Sequence, residues 1–170
     1  EANTRQVWLT GEGFFEVSKD SKRPFIVYAD KLITKVLGTS FTIRAFEDES
    51  KVSVQVRTGK VSVSLESNAD ENTRKDGKQL EGVLLTPNQQ VVYDKNVHEI
   101  SKMLVDKPRV IIPRDEARRM RFEEAPVTEI FNALEKAYGV DIEFDEILFS
   151  ACELTTVISD DDIYSRLDII

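Results

Sequence analysis

Few side chains in this sequence are equipped for chemistry. His98 is the only histidine and Cys152 the only cysteine. A structural zinc site takes about four such ligands and a disulfide takes a second thiol, so neither can form within the chain. A reactive thiol would need a base or cation beside Cys152. The apolar-to-polar alternation Ala151-Cys152-Glu153-Leu154 predicts a small buried residue instead. A serine, His98 and an aspartate are the ingredients of a hydrolytic triad, but no nucleophile-elbow motif presents the serine. Asp160, Asp161 and Asp162 suggest a hard cation, yet calcium-loop spacing is absent. Ser159 just before them fits an N-cap with an acidic first helical turn. Arg114, Arg118, Arg119 and Arg121 form a basic cluster with no interleaved aromatic residues, so a phosphate or nucleic-acid site is not indicated. These residues predict no enzyme, no metal and no cofactor.

Composition narrows the partners further. The 170 residues carry 23 Lys and Arg against 31 Asp and Glu, a net charge of −8. A duplex-binding protein would show a basic face, so nucleic acid is not expected. With 41% hydrophobic residues the chain has enough apolar content for one or two small cores. It contains no apolar run of membrane-spanning length.

The elements that must position any site change character along the chain. Up to about residue 104 the period is two. Val52, Val54 and Val56 alternate with Ser53, Gln55 and Arg57, and Val61, Val63 and Leu65 alternate with Ser62 and Ser64. Thr58-Gly59 between these runs predicts a hairpin. Strands are expected over residues 6–9, 14–17, 25–28, 32–37, 40–46, 51–58, 60–66, 83–86, 89–93 and 99–105. So many short strands predict an all-β, antiparallel domain over residues 1–107. Residues 67–82 are almost devoid of apolar side chains and suggest a long solvated loop. In Pro87-Asn88-Gln89, Asn88 tolerates the left-handed backbone that a turn requires.

Residues 108–120, with Pro108, Pro113 and the arginines, are the expected linker. From Phe122 the period becomes helical: Val127, Ile130, Phe131, Leu134 and Tyr138 share a stripe, and Gly139 stops the helix. Val140, Ile142 and Phe144 alternate with acids and predict a strand. A second strand is expected near residues 154–158, and Ile163, Leu167 and Ile170 mark a last helix.

Three segments in order, GEGFFEV at residues 11–17, RPFIV at 23–27 and VLGTSFTIRAF at 36–46, resemble the extracytoplasmic domain of the FecR family of transmembrane anti-sigma regulators. The helix–strand–strand–helix order over residues 121–170 resembles the small βαβ signalling fold called STN. The likeness is imperfect in places. Asn88 stands where relatives usually have a glycine, and a Trp-x-x-Gly segment is absent near the linker. The resemblance implies a fold of an all-β domain followed by a small α+β STN-like domain, which in relatives continues with further strand pairing after its second helix, so a truncated domain is expected here. It implies a membrane helix and a cytoplasmic sigma-binding region upstream, which makes these residues the periplasmic portion of a single-pass inner-membrane protein. The implied partners are the N-terminal signalling domain of a TonB-dependent outer-membrane transducer and, through that cytoplasmic region, an extracytoplasmic-function (ECF) sigma factor.

Two sites follow from the resemblance. Some FecR-like regulators cleave themselves at a Gly-Thr bond, and Gly38-Thr39 is such a pair. A hydroxyl directly after a glycine-permitted bond allows an acyl shift to an ester. The alternative is a bulge or tight turn at Gly38 with Thr39 an ordinary strand residue. The second site is the strand Leu154-Thr155-Thr156-Val157, short, uncharged and β-prone, whose edge could accept a partner strand. A rival function is direct recognition of a glycan or siderophore, which exposed aromatic clusters would favour. Trp8 is the only tryptophan available for it.

Overall fold

The computed structural model describes residues 4–66, 82–157 and 163–168. The expected loop over residues 67–82, apart from Gly82, and the Ser159–Asp162 helix start lie outside the described residues. The chain forms two compact units, Glu1–Leu104 and Val105–Ile170.

Among the described residues the first unit has ten strands: β1 (Arg5–Trp8), β2 (Gly11–Glu16), β3 (Phe25–Ala29), β4 (Leu32–Val36), β5 (Ser40–Ala45), β6 (Lys51–Thr58), β7 (Val61–Leu65), β8 (Val83–Leu85), β9 (Gln89–Asp94) and β10 (Glu99–Leu104). They form two five-stranded sheets, ordered β1-β3-β4-β7-β8 and β10-β9-β6-β5-β2. All pairings are antiparallel except β1 with β3. Alternation explains the packing. Val27, Leu32, Val36, Val61, Val63 and Leu85 of one sheet share a core with Phe41, Ile43, Val52, Val54, Val56 and Val91 of the other.

The expected hairpin at Thr58-Gly59 is not one. β6 pairs with β5 and β9, whereas β7 pairs with β4 and β8 in the other sheet. The turn chemistry is right, with Gly59 at φ +82°, but the chain changes sheets there. The partners of β7 come from distant residues and decide its sheet. Asn88, at φ +66°, makes another such crossing between β8 and β9.

Thr34 on β4 is fully buried, and its hydroxyl has no hydrogen-bond partner among the described residues. An unpaired buried hydroxyl carries a desolvation cost that an apolar group of the same shape avoids. Thr34→Val is expected to raise stability by about 1 kcal/mol, read as a higher urea midpoint. A lower midpoint would mean that the hydroxyl is satisfied.

The second unit contains α1 (Arg114–Arg119), β11 (Arg121–Pro126), α2 (Val127–Tyr138), α3 (Glu146–Phe149), β12 (Glu153–Val157) and α4 (Ile163–Leu167). On α2, Val127, Ile130, Phe131, Leu134, Ala137 and Tyr138 are buried. Gly139, left-handed at φ +66°, ends the helix and donates its N–H to the Glu135 carbonyl at 2.7 Å.

Several expectations give way here. The residues read as a linker include α1, and the Ile111 N–H donates to the Ala137 carbonyl at 2.7 Å, so this segment is tied to α2. Residues 121–126 form a strand. The expected strand over Val140–Phe144 keeps its alternating burial but pairs with no strand among the described residues. Its apolar side packs on α2, where Phe144 meets Phe131 at 4.6 Å, and the Ile142 N–H is met by the Glu135 carboxylate at 2.7 Å. Helix α3 follows, capped by Asp145, whose carboxylate accepts from the N–H groups of Ile147 and Leu148. From residue 121 the order among the described residues is therefore strand–helix–helix–strand–helix.

Candidate functional site

Gly38 and Thr39 sit at a corner of the sandwich, where the chain repeatedly passes from one sheet to the other. Residues 17–24 connect β2 to β3, 37–39 connect β4 to β5, and 59–60 connect β6 to β7. These three crossings touch. The Val17 N–H donates to the Thr39 carbonyl at 2.9 Å, the Thr39 N–H returns to the Val17 carbonyl at 3.2 Å, and the Asp20 N–H reaches the Leu37 carbonyl at 2.7 Å. A Cβ on Gly38 would stand 2.5 Å from the Lys19 Cα. A Cβ on Gly59 would stand 2.7 Å from the Thr39 Cγ2 and 2.9 Å from the Gly38 carbonyl oxygen. Glycine at these two positions is thus a condition of backbone crossing backbone.

The Thr39 side chain is buried, and its hydroxyl has no hydrogen-bond partner among the described residues. No base is therefore hydrogen-bonded to the one nucleophile that an acyl shift would use. A hydroxyl needs such a partner, or strain, to attack an amide.

The loop over this corner carries its own clamp. The Asp20 carboxylate accepts from the N–H groups of Lys22 and Arg23 and from the Arg23 guanidinium at 2.9 Å. The Arg23 carbonyl accepts in turn from the Arg5 guanidinium on β1, at 2.9 and 3.2 Å. The side-chain bond from Arg23, helped by the backbone N–H groups, holds the Asp20 carboxyl below the ordinary aspartate range. A lowered folded-state pKa stabilises the loop above the unfolded value, and that support is lost as pH falls through the lowered one. In an NMR titration the Lys22 and Arg23 amides are expected to shift only below the pH at which free aspartate protonates. A midpoint at or above that pH would show the clamp to be open.

The second candidate strand lies on β12. Leu154, Thr155, Thr156 and Val157 are four of its five residues, and β12 pairs antiparallel with β11 alone among the described residues. The phase of that ladder is set by the Val127 N–H, which donates to the Cys152 carbonyl at 3.0 Å. Backbone polar groups of an antiparallel strand alternate between its two edges. Leu154 and Thr156 therefore face β11, while Glu153, Thr155 and Val157 direct their N–H and C=O groups to the open edge. A register shift between Phe122 and Ala125 places the extra residue on β11, with Glu124 at φ +48°, so the alternation of β12 is unbroken. The Thr155 hydroxyl accepts from the Glu124 N–H at 3.0 Å across this bulge.

Cys152, expected to be buried, is exposed. It lies in the turn between α3 and β12, outside the alternation that suggested burial. Two features were not anticipated from the sequence. Ile147 and Leu148 are 86% and 70% exposed on α3; Asp145 ahead of a short apolar run was the available signal for that helix. Trp8 is 73% exposed and stacks on Tyr28 with ring centroids 5.2 Å apart. The parallel register that sets Trp8 opposite Tyr28 has no local sequence signal. Among the described residues no cluster of His, Cys, Asp and Glu could hold a metal, and no helix is long and apolar enough to cross a membrane.

A two-sheet unit followed by a small α+β unit matches the fold of one class of regulators, the anti-sigma factors. Residues 1–62 match the FecR protein family model, and residues 119–170 match the model of the FecR C-terminal region. The chain belongs to the FecR family, whose members are anti-sigma regulators. It is also similar to a "putative anti-sigma factor" from Parabacteroides distasonis ATCC 8503, solved at 2.50 Å and again at 1.65 Å. Each of those structures is 26% identical, covers 99% of this chain and 72% of the other, and superposes with a TM-score of 0.52. No curated protein matches the chain. The family makes a sigma factor the class of partner and regulation the role. The expected fold class, an all-β unit followed by a small α+β unit, holds.

Proposed function

We propose that this chain is the periplasmic part of a FecR-type regulator, itself a single-pass inner-membrane protein. It takes a signal from the N-terminal signalling domain of a TonB-dependent outer-membrane transducer. It relays that signal to an ECF sigma factor bound by a cytoplasmic region upstream. The STN likeness of the second unit belongs to this reading. The observation that carries it is the open edge of β12, where an incoming strand finds the backbone groups of Glu153, Thr155 and Val157. Docking there shifts the population of states in which the chain is exposed to proteolysis.

Calorimetric titration with the signalling domain of the adjacent transducer tests it. Saturable binding is expected, weakened at least tenfold by Val157→Pro, which removes an edge donor and leaves the bonds of Thr156 to β11 in place. Thr156→Pro is a poor probe, since it strikes the internal ladder. Absence of binding to any such domain would overturn the relay.

A second reading, direct recognition of a glycan or siderophore, is favoured by the exposed Trp8–Tyr28 stack. Binding of such a ligand that is lost in Trp8→Ala, together with no binding of the signalling domain, would establish it.

For Gly38-Thr39 we propose a structural role and no enzymatic activity. The protein incubated at neutral pH is expected to remain a single species of 19.4 kDa by mass spectrometry. A fragment beginning at Thr39, absent in Thr39→Val, would assign self-cleavage instead.

A further inference from the structure

An open strand edge offers backbone hydrogen bonds to any extended chain, so selectivity must come from the side chains around it. Beside β12 the structure places two large apolar groups in water. Helix α3 is pinned from its inner side: Phe149 meets Phe131 at 5.6 Å and Phe144 at 6.2 Å. With Phe149 held inward and Asp145 capping the first turn, Ile147 and Leu148 are displayed outward by construction. Three residues of turn separate α3 from β12. The Cys152 N–H donates to the Phe149 carbonyl at 3.1 Å and its thiol lies 3.9 Å from the Leu148 carbonyl, so a closed turn leads from α3 straight into β12. Two such side chains, neither in the core, lose nothing on folding and gain only when something covers them.

Along the sequence that flanks them the charge has one sign. Between Ala137 and Ser165 the sequence has no Lys or Arg and eight Asp and Glu. Asp141, Glu143, Asp145 and Glu146 lead into α3 and are all exposed, as is Glu153 at the head of β12. The one cation of the two-stranded sheet, Arg121, is on β11, opposite Val157 at the other end. An acidic rim repels an acidic segment and attracts a basic one.

We propose that the open edge of β12 with Ile147 and Leu148 forms one docking surface, and that it takes an extended segment bearing apolar side chains together with Lys or Arg. The segment adds a strand beside Glu153, Thr155 and Val157, covers Ile147 and Leu148 with its apolar groups, and sets its cations against the acids of residues 141–146. This rests on the reading of β12 as a partner edge and adds what the partner must look like.

The test uses the full 170-residue protein. Short random peptides displayed on phage are selected on the wild type and on the double variant Ile147→Ser/Leu148→Ser. Both positions are exposed, so the variant is expected to melt within about 2 °C of the wild type. Selected sequences should alternate apolar residues with Lys or Arg. They should bind the double variant at least tenfold more weakly and lose affinity steeply as salt rises. No enrichment, enrichment of acidic sequences, or equal binding to the variant would overturn the proposal. The same variant in the signalling-domain titration separates the two ideas. A domain that binds wild type and variant equally sinks this docking surface and leaves the relay standing. A domain that binds neither sinks the relay and leaves the peptide selection to decide.

Discussion

Gly38→Ala is expected to cost the first unit about 3 kcal/mol or more and to leave much of the protein unfolded at 37 °C. The added methyl would lie 2.5 Å from the Cα, 2.8 Å from the Cβ and 3.0 Å from the backbone nitrogen of Lys19. Two of these are main-chain atoms, so no rotamer change relieves the overlap. Moving Lys19 away would pull on the bonds from Val17 to Thr39 and from Asp20 to Leu37. Gly59→Ala is expected to cost a similar amount, since the methyl meets Thr39 and the Gly38 carbonyl and the residue sits at φ +82°. The two changes press on the same crossing, so the double variant should cost clearly less than their sum. Gly13→Ala is the control. Its nearest neighbour is the Phe15 ring at 3.1 Å, a side chain that can yield, and its expected cost is under about 1 kcal/mol. Urea melts followed by Trp8 fluorescence give all four values. Wild-type stability in Gly38→Ala would mean that the three crossings do not touch as described.

Phe131→Ala should do comparable damage to the second unit, about 3–5 kcal/mol. Phe131 is buried on α2 and its ring faces both Phe144 and Phe149. Truncation leaves a cavity and removes the surface on which residues 140–149 lie. Hydrogen exchange should show α2 amides losing protection while amides of Val27, Val54 and Val63, in the other unit's core, keep theirs. Ile147→Ala, at a solvent-facing position on α3, should change stability by less than about 0.5 kcal/mol. A Phe131→Ala cost below about 1 kcal/mol would show that the three rings do not form a packed cluster.

How far the sequence reaches can be judged from particular elements. Alternation located all ten strands of the first unit within a residue or a few at each end, because one face of each strand is buried and the period is local. The stripe of α2 and its stop at Gly139 were legible for the same reason. Sheet membership was not. Val61 and Val63 announce a buried strand, but whether that strand turns back on β6 or crosses to β4 depends on residues 25 to 30 positions away. Val140, Ile142 and Phe144 record burial on one side, which α2 provides, and alternation alone does not show whether a strand lies beside them. Gly38-Thr39 was visible as a notable pair, but the reason for its glycine is the Lys19 backbone, distant in sequence. Ile147 and Leu148 are surface residues that no pattern in the sequence marked, because Phe149 alone of this apolar run turns inward.

The exchange of strands between sheets also fixes an order of events in time. β6 lies between β5 and β9, and β4 lies between β3 and β7. A chain that emerges amino-end first can pair β3 with β4 and β5 with β6 at once, since each is a neighbour along the sequence. It cannot cover the far edge of β6 until β9 has appeared, beyond residue 88. Contacts of this kind are paid for late and slow the search. Throughout that interval Val52, Val54 and Val56 belong to an unfinished sheet, and the nascent chain offers a sticky strand edge to whatever is nearby.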